Sequence, residues 1–363
     1  MKLSSADIYS YSLKLNRPLH VHKKDITVRE GLILHVKSTD NAEGFGEIAP
    51  LPGFSTETLE EAAKEIQNFR HFLLSETIPP NIEKLDKRFE TWLAKFNLKS
   101  SVRFGIEMAI LNLTANHCQK TLYKVLSDLY HENIRVSGLL SGPTSEVTQE
   151  LKRMLDDGYR SFKLKVGEDV KEDIAKVLAA IKTIDGRALL HLDVNQGWNI
   201  NQAVHFIDEV GLAFIEYVEE PFKNIDHIPE FFAKTTVPVA LDESFAGLHF
   251  NHVKSIDGVD LVILKPTIIG SIENVCKIMK EGQRLAISTV ISSLFESSIG
   301  ILTLANLAGM THRDNFAGID TLKWLKEDLL KQPLTTHHGR LDISSRRIQF
   351  QDINFNLLKK LNP

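Results

Sequence analysis

Residues 161–167, SFKLKVG, place two lysines two positions apart in an apolar run that ends at a glycine. The same form recurs downstream, as ALLHLDVNQ at 188–196, FIEYVEEP at 214–221, VPVALDES at 237–244 and LVILKPT at 261–267. Each run finishes on charge: Lys163 and Lys165, then Asp193, Glu219, Asp242 and Lys265. From Lys165 onward these positions follow one another at intervals of 23 to 28 residues. A strand with its returning helix takes roughly 30 residues. The spacing therefore predicts successive parallel strands, each delivering a charged group to a common edge.

Working outward, three more short apolar runs extend the series. IRVSGLLSG (134–142) precedes it, and LAISTVISS (285–293) and DNFAGID (314–320) follow. Eight strands alternating with amphipathic helices predict a closed (β/α) barrel. The span 134–320 is shorter than the roughly 250 residues typical of such barrels, so one or more helices should be reduced or missing. Ahead of it, TVREGLILHVK (27–37) alternates like a strand, and the loop GFGEIAPLPGFS (44–55) is dense in Gly and Pro. Helical patterns follow at 57–74 and 101–118, giving an α+β unit. The expected domains are 1–130, an α+β capping domain; 131–320, the catalytic barrel; and 321–363, a strand-rich segment returning to the capping domain.

The 363 residues are 43% hydrophobic and 25% charged, with a formal net charge of −4. That charge gives no basic footprint for nucleic acid. No apolar run approaches the roughly 20 residues of a membrane span. The opening MKLSSADIYSYSLKLNRPL lacks the apolar core of a secretion signal, so a cytoplasmic location is expected. Cys118 and Cys276 show no metal or disulfide spacing and are expected as buried free thiols. A small-molecule partner is expected; the composition leaves the oligomeric state open.

Strand side chains alternate between faces, so Lys163 and Lys165 share one, directed into the barrel near its C-terminal mouth. Asp193, Glu219 and Asp242 supply only oxygen donors, which suit a hard cation such as Mg²⁺, with Mn²⁺ an alternative. Zinc would call for His or Cys. His191 shares the face of Asp193 one layer deeper, as a core group rather than a ligand. Glu219 is preferred to Glu220, which falls in the turn before Pro221, and Asp242 is preferred to Glu243. Lys265 lies across the mouth from Lys165. Two amines over a divalent ion define a chemistry: the ion holds a substrate carboxylate while a lysine removes the adjacent carbon-bound proton. The neutral amine must be accessible near pH 7, and a neighbouring amine and a cation both push a lysine pKa down. Ser292 and Ser293 could hold a second substrate group or could cap the helix that follows. Gly53, Phe54 and Ser55 could cover the mouth or form a rigid turn. Arg17 and Arg29 are expected to be solvated. Two other readings remain: a Schiff-base aldolase, which would not need three metal-suited carboxylates, and a non-catalytic barrel, which would not need all six charged groups.

The motifs KLKVG, DVNQGW, EEP, DES and KPT, in this order and spacing, resemble the enolase superfamily, in the branch with KxK on the second strand. GEIAPLPGFS, the SVRFGIEMA helix and ISSLFESSIG are similar to the o-succinylbenzoate synthase family within its muconate-lactonising-like subgroup. The resemblance implies a modified (β/α)7β TIM-like barrel with an α+β N-terminal capping domain. It implies an Mg²⁺-dependent lyase of menaquinone biosynthesis that forms 2-succinylbenzoate by syn dehydration. Lys165 would be the base and Lys265 the facing cation, with Lys163 lowering the pKa of Lys165. Asp193, Glu219 and Asp242 would bind the metal, and Asn195 would support them. N-succinylamino-acid racemases and dipeptide epimerases share these motifs and stay open as the alternative. The C-terminal GRLDISSRRIQFQDIN lacks the Gly-rich segment of many such relatives, which leans toward the synthase.

Overall fold

The computed structural model describes residues 1–21, 24–312 and 314–361. The chain begins with three antiparallel strands, β1 (Leu3–Val21), β2 (Lys24–Ser38) and β3 (Glu43–Ile48), paired in that order. Along β1 buried and open positions alternate through Leu13 and Leu15, as a half-covered strand requires. Helix α1 (Leu59–Ser75) starts at a capping box between Thr58 and Glu61. Helix α2 (Ser100–His117) is buried on nearly all sides, from Val102 to Ala115. It lies against β3 so closely that a Cβ at Gly46 would come within 1.9 Å of Gly105 O, and one at Gly44 within 2.1 Å of Ala109 O. The two glycines of GFGEI are there to admit the helix backbone.

The repeat predicted downstream is present as a parallel sheet: β4 (Gly138–Leu140), β5 (Ser161–Lys165), β6 (Leu189–Asp193), β7 (Ile215–Glu219), β8 (Val239–Leu241), β9 (Val259–Leu264) and β10 (Ser288–Ile291). The eighth run is reduced to two parallel bridges, Ala317 to Val136 and Gly318 to Ser292. They suffice to close the ring, because Ala317 N donates to Arg135 O at 2.8 Å and Gly318 N to Ile291 O at 2.8 Å. The helix between β8 and β9 shrinks to Phe250–Lys254, which accounts for part of the short span. After the barrel, Arg340–Asp342 pairs with Asn133–Arg135, and the last strand, β11 (Leu358–Lys360), joins the edge of β1 with Tyr9 opposite Lys360. The C-terminal segment thus returns to the first sheet, but with three residues of strand rather than the longer run its composition suggested.

Two of the expectations are corrected here. Cys118 is exposed, because it lies just past the end of α2; Cys276 is buried, and burial pushes its thiol up to about 12. Arg29 is 2% exposed rather than solvated. Arg17 is half-buried, its guanidinium 3.7 Å from the centre of the Trp324 ring. No helix among the described residues is long and apolar enough to cross a membrane.

The helix after β10, α3 (Ser298–Ala308), is N-capped by Ser297 and receives two further carboxylates at its start. Glu47 of β3 accepts from Ser297 N and Gly300 N, and Asp328 accepts from Ser298 N. Burial pushes Asp328 up to about 6. A carboxyl raised by folding binds its proton more tightly folded than unfolded, so this contribution is complete below about pH 4 and is lost as pH rises through 6. Asp328→Asn is expected to flatten the stability profile across that window by up to about 3 kcal/mol, while a lost backbone hydrogen bond lowers stability equally at every pH. Urea unfolding at pH 4, 5.5 and 7.5 measures it; an unchanged slope would place the titration elsewhere.

Candidate active site

The strand register puts the charged ends level. Lys165 stands opposite Asp193, and Asp193 opposite Glu219, in one row. Lys163, His191 and Tyr217 form the row beneath. Asp242 follows β8 directly and Lys265 follows β9. In a ring of eight, β5 and β9 are four strands apart, so Lys165 and Lys265 face each other across the mouth. This placement follows from period-2 alternation combined with the βα repeat, both legible in the chain.

Asp193, Glu219 and Asp242 are 3%, 1% and 9% exposed. Lys163 reaches up from the lower row and bridges two of them, with Nζ 2.7 and 2.8 Å from the Glu219 oxygens and 2.9 Å from Asp193 Oδ2. Lys265 Nζ donates to Asp242 Oδ2, and lies 5.0 Å from the centre of the Phe54 ring. Lys165 is the more open amine: Nζ donates to Asn195 Oδ1 at 2.9 Å and stands 3.9 Å from Asp193 Oδ2. Asn195 is exposed at the turn, held by its own N–H on Asp193 Oδ1 at 3.2 Å.

These contacts set the electrostatics. Burial works against charge on Lys163, but Asp193, Glu219 and Asp242 together outweigh it and hold the ammonium well above the usual lysine range. Lys265 is likewise raised, by Asp242 against its burial. For these two the carboxylates reverse the downward shift that neighbouring amines alone would give. Burial also pushes Glu219 and Asp242 upward, while Lys163 and Lys165 overcome it at Asp193 and hold that carboxyl down.

Among the described residues no three His, Cys, Asp or Glu side chains are gathered as a metal cage; Lys163 and Lys265 take the carboxylate oxygens. The chemistry of the donor set still fits a hard cation. Asp193 and Glu219 line one cavity and Asp242 stands beside it behind Lys265, all three buried acceptor-only carboxylates, and a cation there would offset the burial that pushes Glu219 and Asp242 toward protonation.

The cavity above this row has a volume of about 160 Å³. Lys163, Lys165, Lys265, Asp193, Glu219 and Asn195 line its floor, and Asp242 reaches it through Lys265. Its walls are mostly apolar, with Leu19, Leu51, Phe54, Ile263, Phe316 and Trp324 among them. Ser292 and Ser293 line it too. Ser293 Oγ is 2.9 Å from Thr321 Oγ1, and Ser292 Oγ is 3.4 Å from Gly318 O. Neither caps α3, since Ser297 does. The Gly53–Ser55 loop is a hydrogen-bonded turn, with Phe54 N and Ser55 N both donating to Leu51 O. His191 is buried with Nε2 3.0 Å from Ser161 Oγ and 2.7 Å from Glu216, and Nδ1 2.9 Å from Tyr217.

Glu220 does more than sit in a turn. Its carboxylate accepts from Asp242 N at 2.7 Å, Ser244 N at 2.8 Å, and Ser244 Oγ at 2.7 Å, which fixes the end of β8 beside Glu219. Its φ of 45° lets two adjacent glutamates point in different directions. The EEP doublet was the available signal for it. Nothing in the sequence marks Trp324 or Phe316 as cavity walls.

A family model for the enolase C-terminal domain-like fold matches residues 146–347, more than half of the chain. The chain belongs to the enolase superfamily. A second model, the N-terminal domain of MenC, matches residues 3–113 of this enolase-superfamily enzyme. The o-succinylbenzoate synthase of Aliivibrio salmonicida is 30% identical to it, over 92% of this chain and 94% of that protein. Two solved structures share the fold. A dipeptide epimerase from Enterococcus faecalis, complexed with Mg and the dipeptide L-Leu-L-Tyr, superposes with TM-score 0.84 at 22% identity, covering 94% of this chain and 97% of that one. The N-succinyl Arg/Lys racemase of Bacillus cereus gives 0.83 at 20%, covering 100% of each chain.

Proposed function

We propose that this enolase-superfamily enzyme is an o-succinylbenzoate synthase. It dehydrates 2-succinyl-6-hydroxy-2,4-cyclohexadiene-1-carboxylate to 2-succinylbenzoate, with syn geometry, in menaquinone biosynthesis. The observation that carries the reading is the pairing of two likenesses. The lysine-and-carboxylate floor lies within the span that matches the enolase C-terminal domain-like model, and Leu51 and Phe54, which roof the cavity, lie within the span that matches the N-terminal domain of MenC.

Lys165, the open amine of the floor, removes the proton on the carbon bearing the carboxylate. The electron pair moves into the carboxylate as an enediolate. Lys265, held protonated by Asp242, faces it from the opposite side and offsets the charge. The ring then expels the hydroxyl, which takes the proton back from Lys165 and leaves as water. Aromatisation drives this second step. Lys163 holds Asp193 and Glu219 in place beneath. Asp193, Glu219 and Asp242 would hold Mg²⁺, which supplies Lewis-acid charge for the substrate carboxylate when bound.

Two amines facing each other also favour a second reading, an N-succinylamino-acid racemase or dipeptide epimerase, in which Lys265 serves as a second base. One experiment separates them. Dehydration is followed by ultraviolet absorbance with Mg²⁺ and then with EDTA, beside optical rotation of N-succinyl amino acids. Fast, metal-dependent dehydration supports the synthase. Loss of optical rotation without dehydration moves the function to the racemase and keeps the site.

A further inference from the structure

Arg29 extends from β2 into the joint between the two domains, where it is 2% exposed. Burying a guanidinium is costly unless its donors are satisfied. Here they are spent on main-chain carbonyls. Nε donates to Leu294 O at 3.2 Å, Nη1 to Pro50 O at 2.9 Å and Glu30 O at 2.8 Å, and Nη2 to Ala49 O. Ala49 and Pro50 open the capping loop whose Leu51 and Phe54 line the cavity. Leu294 belongs to the turn after β10, whose Ser292, Ser293 and Phe295 also line it. One side chain therefore ties two cavity walls that lie more than 240 residues apart in the chain.

The turn is gripped from its other side as well. Leu294 N donates to Glu296 Oε2 at 2.7 Å, and Thr267 Oγ1 donates to Glu296 Oε1 at 2.6 Å. Phe295, between the two, has a φ of 60°, a backbone state that aromatic residues rarely adopt and that persists only where the surroundings impose it. Its ring meets Trp324 edge-on at 5.3 Å.

We propose that Arg29 is a positioning residue that sets the separation of the capping loop 49–55 from the turn 292–296, and with it how tightly the cavity closes on its ligand. The inference rests on the cavity being the active site, as proposed above. A lysine cannot replace it, because one ammonium cannot span carbonyls on two segments as the flat guanidinium fork does.

Arg29→Lys is tested against Asn116→Ala, which cuts a tie of similar size far from the cavity, Asn116 Nδ2 to Glu43 O at 2.9 Å and to Ile348 O at 2.8 Å. Arg29→Lys is expected to raise KM about ten-fold or more with kcat changed less than about three-fold, since one wall is loosened and the lysines are untouched. Asn116→Ala is expected to change neither. An unchanged KM in Arg29→Lys, or equal shifts in both variants, overturns the proposal. Hydrogen exchange on the unsubstituted, ligand-free protein gives a second reading that needs neither turnover nor a folded variant. Amides of 51–55 and 292–297 are expected to open as one unit, and separate opening free energies overturn the tie. If the unsubstituted protein turns over no test substrate, the proposed function fails and the exchange result alone decides Arg29.

Discussion

Lys165→Ala is expected to lower kcat by about 10³–10⁴-fold while leaving the protein folded. Its removal takes away the reacting amine while the main charge pairing of the floor stays in place. Lys163, not Lys165, bridges the buried Asp193 and Glu219, and that bridge survives the substitution. The Lys165 side chain is 44% exposed and its hydrogen bond goes to an exposed asparagine. Loss of such a contact is worth little to stability. The thermal midpoint should therefore stay within a few degrees of the unsubstituted value. Turnover above about a hundredth of the original in a purified, folded variant would remove Lys165 as the base.

The second large effect is on the carboxylates. Asp242→Ala is expected to lower turnover about 10³-fold. It is also expected to abolish the heat of Mg²⁺ binding in calorimetry. The local backbone is held independently, because Asp242 N donates to Glu220 rather than to its own side chain. What is lost is one of three oxygen donors and the partner that keeps Lys265 charged. Both changes act at the floor of the cavity, on the charge that the reaction develops. Undiminished Mg²⁺ binding together with near-normal turnover would take Asp242 out of the site.

The floor of the site was largely legible in the chain because its geometry is generated locally. Alternation along a strand fixes which of two neighbours shares a face with Lys165. A repeat of strand, turn and helix returns each next strand beside the last, so Asp193, Glu219 and Lys265 arrive in ring order. The choice of Glu219 over Glu220 belongs to the same kind of reasoning, and the structure places the two on different partners. Local patterns gave a weaker account of the eighth strand. DNFAGID keeps only the bridges at Ala317 and Gly318, where a Cβ on Gly318 would come within 2.8 Å of Ser292 Oγ.

What residue type alone misjudged lies where distant segments meet. An arginine in an alternating strand ordinarily reads as solvated. Arg29 is buried because the capping loop and the turn after β10 converge on it with unpaired carbonyls. Trp324 becomes a cavity wall because the segment after the barrel pairs back onto β1, with Leu15 bridged to Leu325. The direction of charge on Lys163 was decided in the same way, by three carboxylates from three other strands. The sequence by itself determined the barrel and the order of the charged strand ends, since periodicity and repeat spacing are properties of neighbouring residues. Only the tertiary structure decided which lysine neutralises which carboxylate and what walls and roof enclose them, because those depend on contacts between residues hundreds of positions apart that no local pattern encodes.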